Sequence, residues 1–180
     1  MNVLGISGSL RKGSFNTALL SIARQAAPEG MVITDADISA FPVYNEDIYR
    51  EGFPGAVVTF REQIAAADAL LITTPEYNYG MSGVIKNAID WASRPPEQPF
   101  SGKPVALMGA SAGKLGTALA QQQVRQALVG LNGRVVSQPQ VYIGGAAKIF
   151  DQDGNLSDDA AKGLIGQLLA ALQELTRKPS

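Results

Sequence analysis

One short segment limits this chain more than any other. Ala69-Leu70-Leu71-Ile72-Thr73-Thr74 is an apolar run ended by two threonines, set between a helical pattern and a polar loop. A run this short, bounded by turn signals, reads as a strand buried on both faces. Such strands belong to sheets covered by helices on either side. The rest of the chain agrees. Further strand signals lie at about Asn2–Ile6, Met31–Asp37 and Pro104–Met108, and within Arg134–Ile143, where Pro139 interrupts. Helical periodicity falls between them, at about Ser14–Ala27, Phe53–Ala67, Gly83–Ser93, Thr117–Leu131 and Ser157–Thr176. The stretch from Ile38 to Gly52 shows neither period and is expected to be irregular.

At 180 residues, with no repeat, low-complexity tract or linker, the chain reads as one α/β domain spanning 1–180. The elements fit a flavodoxin-like three-layer sandwich, a five-stranded parallel sheet in the order 2-1-3-4-5 with helices on both faces. In that order strands one, three and four are neighbours, and each is followed by a loop rich in small and polar residues. Ligands of open α/β sheets bind beyond the strand C-termini, near the switch in strand order. The three loops should therefore converge on one crevice.

The first loop, Gly8-Ser9-Leu10-Arg11-Lys12-Gly13-Ser14-Phe15-Asn16, leads from a strand into a helix N-terminus. Unpaired N–H groups and the positive end of the helix dipole favour an anion there. Ser9, Ser14 and Asn16 add neutral hydrogen bonds, and Arg11 adds a charged fork. An ordinary capped loop, with Ser14 or Asn16 as N-cap, would account for one of these residues but not the cluster. The pattern indicates a phosphate without saying which. Gly5-Ile6-Ser7-Gly8-Ser9-Leu10 does not match the dinucleotide fingerprint Gly-x-Gly-x-x-Gly. Gly113-Lys114 does not complete a P-loop, since Met108 replaces its first glycine and Leu115 its magnesium-binding hydroxyl.

The second loop, Pro75-Glu76-Tyr77-Asn78-Tyr79-Gly80-Met81-Ser82-Gly83, can present backbone N–H groups beside a flat ligand, with Gly80 as its conformationally free residue. The third, Gly109 to Thr117, has almost no bulky side chains, so a planar ring can lie against its backbone. Between them, Ile85, Ile89 and Trp91 are expected in the core or a subunit contact, and Lys86 with Asp90 as a helical i,i+4 pair.

Composition narrows the chemistry. With neither histidine nor cysteine, the chain lacks the usual general base, thiolate nucleophiles and most zinc and all cysteine-based cluster sites. A cofactor carrying the hard step is the economical answer. Fifteen basic and sixteen acidic residues offer no electrostatic case for nucleic acid or a membrane surface. No signal peptide precedes the first strand, and no apolar run approaches the ~20 residues of a membrane span. A cytoplasmic, soluble protein is expected.

Three strings, GSLRKGSFN at 8–16, PEYNYGMSGVIKNAIDWASRP at 75–95 and SAGKLG at 111–116, together resemble the NADPH-dependent FMN reductase family, most closely its bacterial quinone and chromate reductase branch. The resemblance implies non-covalent FMN, NAD(P)H as co-substrate, and ping-pong hydride transfer through the flavin to a quinone. Chromate, azo or nitro compounds, ferric chelates and free flavin are further acceptors within that class. It also implies that Ser9, Arg11, Ser14, Phe15 and Asn16 hold the FMN phosphate and ribityl end. Pro75, Glu76, Tyr77 and Asn78 would line the isoalloxazine, largely through backbone, and Ser111 and Gly113 its other flank. No protein residue need be catalytic. Arg125 resembles a family arginine of subunit contacts, but its acidic partner after the proline is replaced by Gln140. A homodimer rather than a tetramer is therefore expected. A flavodoxin-type electron carrier, or a flavin-binding regulatory protein, would share the fold without substrate turnover.

Overall fold

Each apolar run becomes a strand and each periodic segment a helix laid across the sheet. In chain order, the computed structural model, which describes residues 1–178, contains β1 (Asn2–Ser7), α1 (Phe15–Gln25), β2 (Val32–Ala36), α2 (Glu46–Glu51), α3 (Gly55–Ala66) and β3 (Ala69–Thr73). There follow β4 (Glu76–Tyr77), β5 (Gly80–Met81), α4 (Gly83–Ala92), β6 (Pro104–Ala110), α5 (Ala118–Gly130), β7 (Arg134–Val135), β8 (Val141–Ile143), α6 (Ala146–Ile149) and α7 (Asp159–Arg177).

The sheet runs β2-β1-β3-β6-β7, parallel throughout, with β8 also paired to β6. The expected order holds, with β6 as the fourth strand. The fifth position is shared: β7 pairs with Pro104 and Val105, and β8 with Met108 to Ala110. Pro139 lies in the gap, where its missing N–H costs the ladder nothing.

Side-chain alternation divides the interior in two. Val3, Leu71, Ala106 and Met108 face α1 and α7, meeting Leu19, Leu20, Leu168 and Leu172. Leu4, Ile6, Leu70, Ile72, Val105 and Leu107 face the other side, meeting Phe60, Ile64, Ile85, Ile89 and Val124. All five residues of β3 are buried, as the opening run requires. Trp91 and Ile85 are core residues, and Lys86 pairs with Asp90 at 2.6 Å on the surface.

Besides the four-residue α6, two features lie outside the expected pattern. The stretch 38–52 contains α2, one and a half turns begun by Asn45, whose side chain accepts from the Asp47 N–H. This strap is tied to α4 by Asn87, whose amide accepts from Tyr44 N–H at 2.8 Å and donates to Pro42 C=O at 2.9 Å. Trp91 Nε1 donates to the same carbonyl at 2.8 Å. The other is the antiparallel hairpin β4–β5, in a segment expected to be loop.

Candidate active site

Loops leave the C-terminal ends of β1, β3 and β6 and meet around a cleft of about 680 Å³. Packing at their roots brings them together. Gly8 N–H donates to Thr73 C=O at 2.7 Å, and a Cβ on Gly8 would fall 2.6 Å from Ile85 Cγ1. Ser82, the N-cap of α4, donates its hydroxyl to Gly8 C=O at 2.8 Å. Across β3, a Cβ on Gly109 would stand 2.1 Å from Thr117 Oγ1 and 2.4 Å from Thr74 C=O. These two positions are glycine because neighbouring segments pass within contact, not because the backbone turns left-handed.

Every residue expected at the ligand lines this cleft: Ser9, Arg11, Ser14, Phe15, Asn16, Pro75, Glu76, Tyr77, Asn78, Ser111 and Gly113. Their roles within the protein differ. Arg11 is exposed, lies 5.4 Å over the Phe15 ring, and has only a long 3.5 Å contact to Lys12 C=O. Phe15 is wedged beneath it against Phe150, ring centroids 5.1 Å apart. Ser14 is the N-cap of α1, accepting from Asn16 N–H at 3.2 Å, and Ser9 Oγ accepts weakly from Arg11 N–H at 3.4 Å. Asn16 is buried, and its amide is engaged with the protein. Nδ2 donates to Ala110 C=O and Oδ1 accepts from Ala110 N–H, both at 3.0 Å. β3 ends before reaching Ala110, so the side-chain amide takes the place of the missing strand.

The second wall is the hairpin. Its turn residues Asn78 and Tyr79 are left-handed, with φ of 50° and 63°, whereas Gly80 is not. This is the two-residue turn that Asn-Gly normally makes. A tyrosine in the second position costs about 1–2 kcal/mol of local strain, the kind of outlier that clusters at functional sites. The Glu76 carboxylate turns away from the cleft and accepts from Leu119 and Ala120 N–H at 2.9 and 3.0 Å, capping α5. Pro75, Glu76, Tyr77 and Asn78 all line the cleft, and Tyr77 is 55% exposed there.

The third wall is firmer than a flexible connection. Ser111 Oγ donates to Gly116 C=O at 2.6 Å, Ser111 N–H to Ile143 C=O at 3.0 Å, and Gly145 N–H to Gly113 C=O at 3.0 Å. Gly116 is left-handed, at φ 62°, and a Cβ there would lie 2.8 Å from the Tyr142 backbone.

Tyr79 and Lys114, which belong to the second and third loops but not to the residues the resemblance carries over, also line the cleft. The signal for Tyr79 is the turn-forming Tyr-Asn-Tyr-Gly itself, and that for Lys114 is its place in the small-residue third loop. Arg125 lies away from the cleft. Its Nη1 donates to Val136 C=O at 2.6 Å, while Nε, Nη2 and the nearby Tyr142 hydroxyl are buried without a well-formed hydrogen bond among the described residues. Burial lowers the Arg125 pKa, and the Tyr142 oxygen opposes that shift.

The donor set suits a long ligand with an anion at one end and a flat, polar-edged ring at the other. Arg11 and the first turn of α1 offer the anion a cation and N–H groups that the helix leaves unpaired. Ala112, Gly113 and the backbone of 75–78 leave flat, small-residue walls opposite. FMN has this shape and charge. Among the described residues no group of three or more His, Cys, Asp and Glu is placed to hold a metal, and no helix is long and apolar enough to cross a membrane.

Comparisons with known proteins converge on the same class. The chain is 61% identical over 178 residues to an NAD(P)H-dependent FMN reductase of Pseudomonas aeruginosa, covering 99% of this chain and 96% of the relative. It is 42% identical to a quinone reductase of Escherichia coli, covering 94% and 93%. Among solved structures, FerB of Paracoccus denitrificans, described as a flavoenzyme NAD(P)H:(acceptor) oxidoreductase, superposes with a TM-score of 0.85 at 33% identity, covering 96% and 97%. The pattern of the NADPH-dependent FMN reductases matches residues 1–148, and the chain belongs to that family.

Proposed function

We propose that this chain is an FMN-dependent NAD(P)H oxidoreductase that reduces quinones or similar acceptors, with residues 1–180 acting as one FMN-binding domain. The observation that carries this reading is the convergence of three loops, whose phosphate-type and ring-type walls face each other across one cleft. Arg11 and the α1 N-terminus bind the phosphate, with Phe15 supporting the guanidinium. Pro75 to Asn78 orient the ring through backbone groups, and Ser111 to Gly113 close its opposite flank. FMN held there by Arg11, the α1 N-terminus and the 75–78 and 111–113 walls would supply the two-electron chemistry between NAD(P)H and the acceptor. Backbone dipoles of the 75–78 wall would favour the negative charge that reduction adds to a flavin ring seated beside them. No protein acid or base is required, which suits a chain without histidine or cysteine.

A homodimer belongs to the same reading. Tyr77, Tyr79 and Leu115, which line the cleft, stand 55%, 72% and 62% exposed, apolar surface that a second copy would cover. The need for NAD(P)H supports action in the cytoplasm. The test is direct. The purified protein should be yellow, or become so on FMN addition, and should oxidise NADPH steadily with a 1,4-benzoquinone. Failure to take up FMN would refute the reading. Flavin binding without turnover would instead identify an electron carrier or a regulatory protein.

A further inference from the structure

The hairpin β4–β5 carries Tyr77, Asn78 and Tyr79 to the cleft, yet it contains little that would hold it in shape. Two residues per strand provide two cross-strand pairs, fewer than an independent hairpin needs. Both turn residues are left-handed, and one is a tyrosine. Its shape must be imposed from outside.

Gln123 on α5 does this. Its Oε1 accepts from Met81 N–H at 3.0 Å, and its Nε2 donates to Tyr79 C=O at 3.4 Å. These two groups flank Gly80 on the edge of β5 that β4 does not use, so the side-chain amide takes the position of a next strand. The neighbouring glycine makes the approach possible: a Cβ on Gly80 would lie 3.2 Å from Gln123 Oε1. Gln123 is itself exposed and has no place in either apolar cluster. One strand back, Glu76 is bonded to the first turn of the same helix. The hairpin therefore hangs from α5 at both strands.

From this the geometry points to Gln123 as a positioning residue of the reductase site, through which α5 sets the pose of the Asn78–Tyr79 wall and so the seating of flavin ring and acceptor. The inference rests on the FMN reductase reading for what the cleft holds; the clamp itself is a matter of backbone geometry.

The experiment compares Gln123→Ala and Gln123→Glu with the wild-type chain, using Gln122→Ala, an exposed neighbour on the same helix, as control. Three quantities are read. They are the exchange rate of the Met81 amide by NMR, the FMN dissociation constant of the stripped protein, and KM and kcat of the loaded enzyme for NADPH and a 1,4-benzoquinone. Gln123→Ala should speed Met81 exchange and raise the FMN dissociation constant or the quinone KM by about two- to tenfold, the loss of a net hydrogen bond. The value of kcat and the thermal midpoint should stay near those of the control. Gln123→Glu keeps the acceptor for Met81 but loses the donor to Tyr79, so it should fall between. Unchanged Met81 exchange in Gln123→Ala would overturn the clamp. Faster exchange with FMN affinity and quinone KM matching the Gln122→Ala control would overturn its bearing on the site. A wild-type protein that takes up no FMN would refute the functional reading instead, and the two failures are distinct.

Discussion

Replacing Asn16 with alanine tests whether the cleft depends on a side chain standing in for a strand. Asn16 and Ala110 are 3% and 2% exposed, and the two bonds between them are each 3.0 Å long. The substitution removes both bonds and leaves a buried N–H and a buried C=O on Ala110. Each orphaned group costs about 1–3 kcal/mol. Asn16 borders the cleft, so water can reach part of the gap and recover some of that loss. The net expectation is a destabilisation of about 2–4 kcal/mol, a large part of the ~5–15 kcal/mol that holds a typical domain folded. In urea this shifts the unfolding midpoint down by about 1–2 M for a slope near 2 kcal/mol/M. Flavin titration of the same variant should show weaker binding, because the first and third loops lose their common tie. A midpoint within about 0.3 M of wild type at an unchanged slope would show that the Ala110 groups do not need Asn16, and the reasoning would fail.

Two further outcomes follow from other parts of the molecule. Arg11→Ala removes one of the two cations lining the cleft, Arg11 and Lys114, neither of which makes an ion pair among the described residues. FMN affinity should drop about ten- to a hundredfold, with a far smaller change in the rate of the loaded enzyme; unchanged affinity would refute the phosphate assignment. In the loop after α6, the Asn155 side chain and backbone N–H hold the Asp151 carboxyl below its ordinary value of 3.8. A depressed carboxyl adds stability above the unfolded value, and that stability is lost as pH falls through the folded one. Local order at 150–156, followed by NMR, should persist at neutral pH and decline only below about pH 4. Asn155→Ala should move the Asp151 titration upward.

The layers and strand order were readable because burial on both faces leaves an unmistakable apolar run, as at 69–73, and because the order follows from parallel connections. The position of the cleft was readable for the same reason: strand C-termini in neighbouring positions must bring their loops together. What escaped was set by contacts distant in sequence. The six residues of α2 carry a cap at Asn45, acids in the first turn and Arg50 in the last, but six residues are too few to show a period. The hairpin depends on Gln123, more than forty residues away, to stabilise a turn that its own sequence only weakly favours. Among the anticipated residues, types were easier to read than tasks. Ser14 caps a helix, Asn16 ties two loops, Glu76 caps α5 and Ser111 closes its own loop, while the Arg11 guanidinium, with only a long contact to Lys12 C=O, is left clear for a ligand. Polarity in a loop signals hydrogen bonding, and only the fold decides with whom.

The amide ties of Asn16, Asn87 and Gln123 have a consequence for how the protein meets its surroundings. Each joins two parts of the chain through a neutral group bonded to backbone, and none of them can gain or lose a proton near neutral pH. Of the tethers just named and that of Glu76, the Glu76 tether is the one that ends in a titratable side chain. Added salt should loosen the grip of Arg11 on a phosphate while leaving the walls where they are. Acidity and ionic strength then act on what the enzyme holds, and the vessel keeps its shape across changes of pH and salt that would disturb a site assembled from ion pairs.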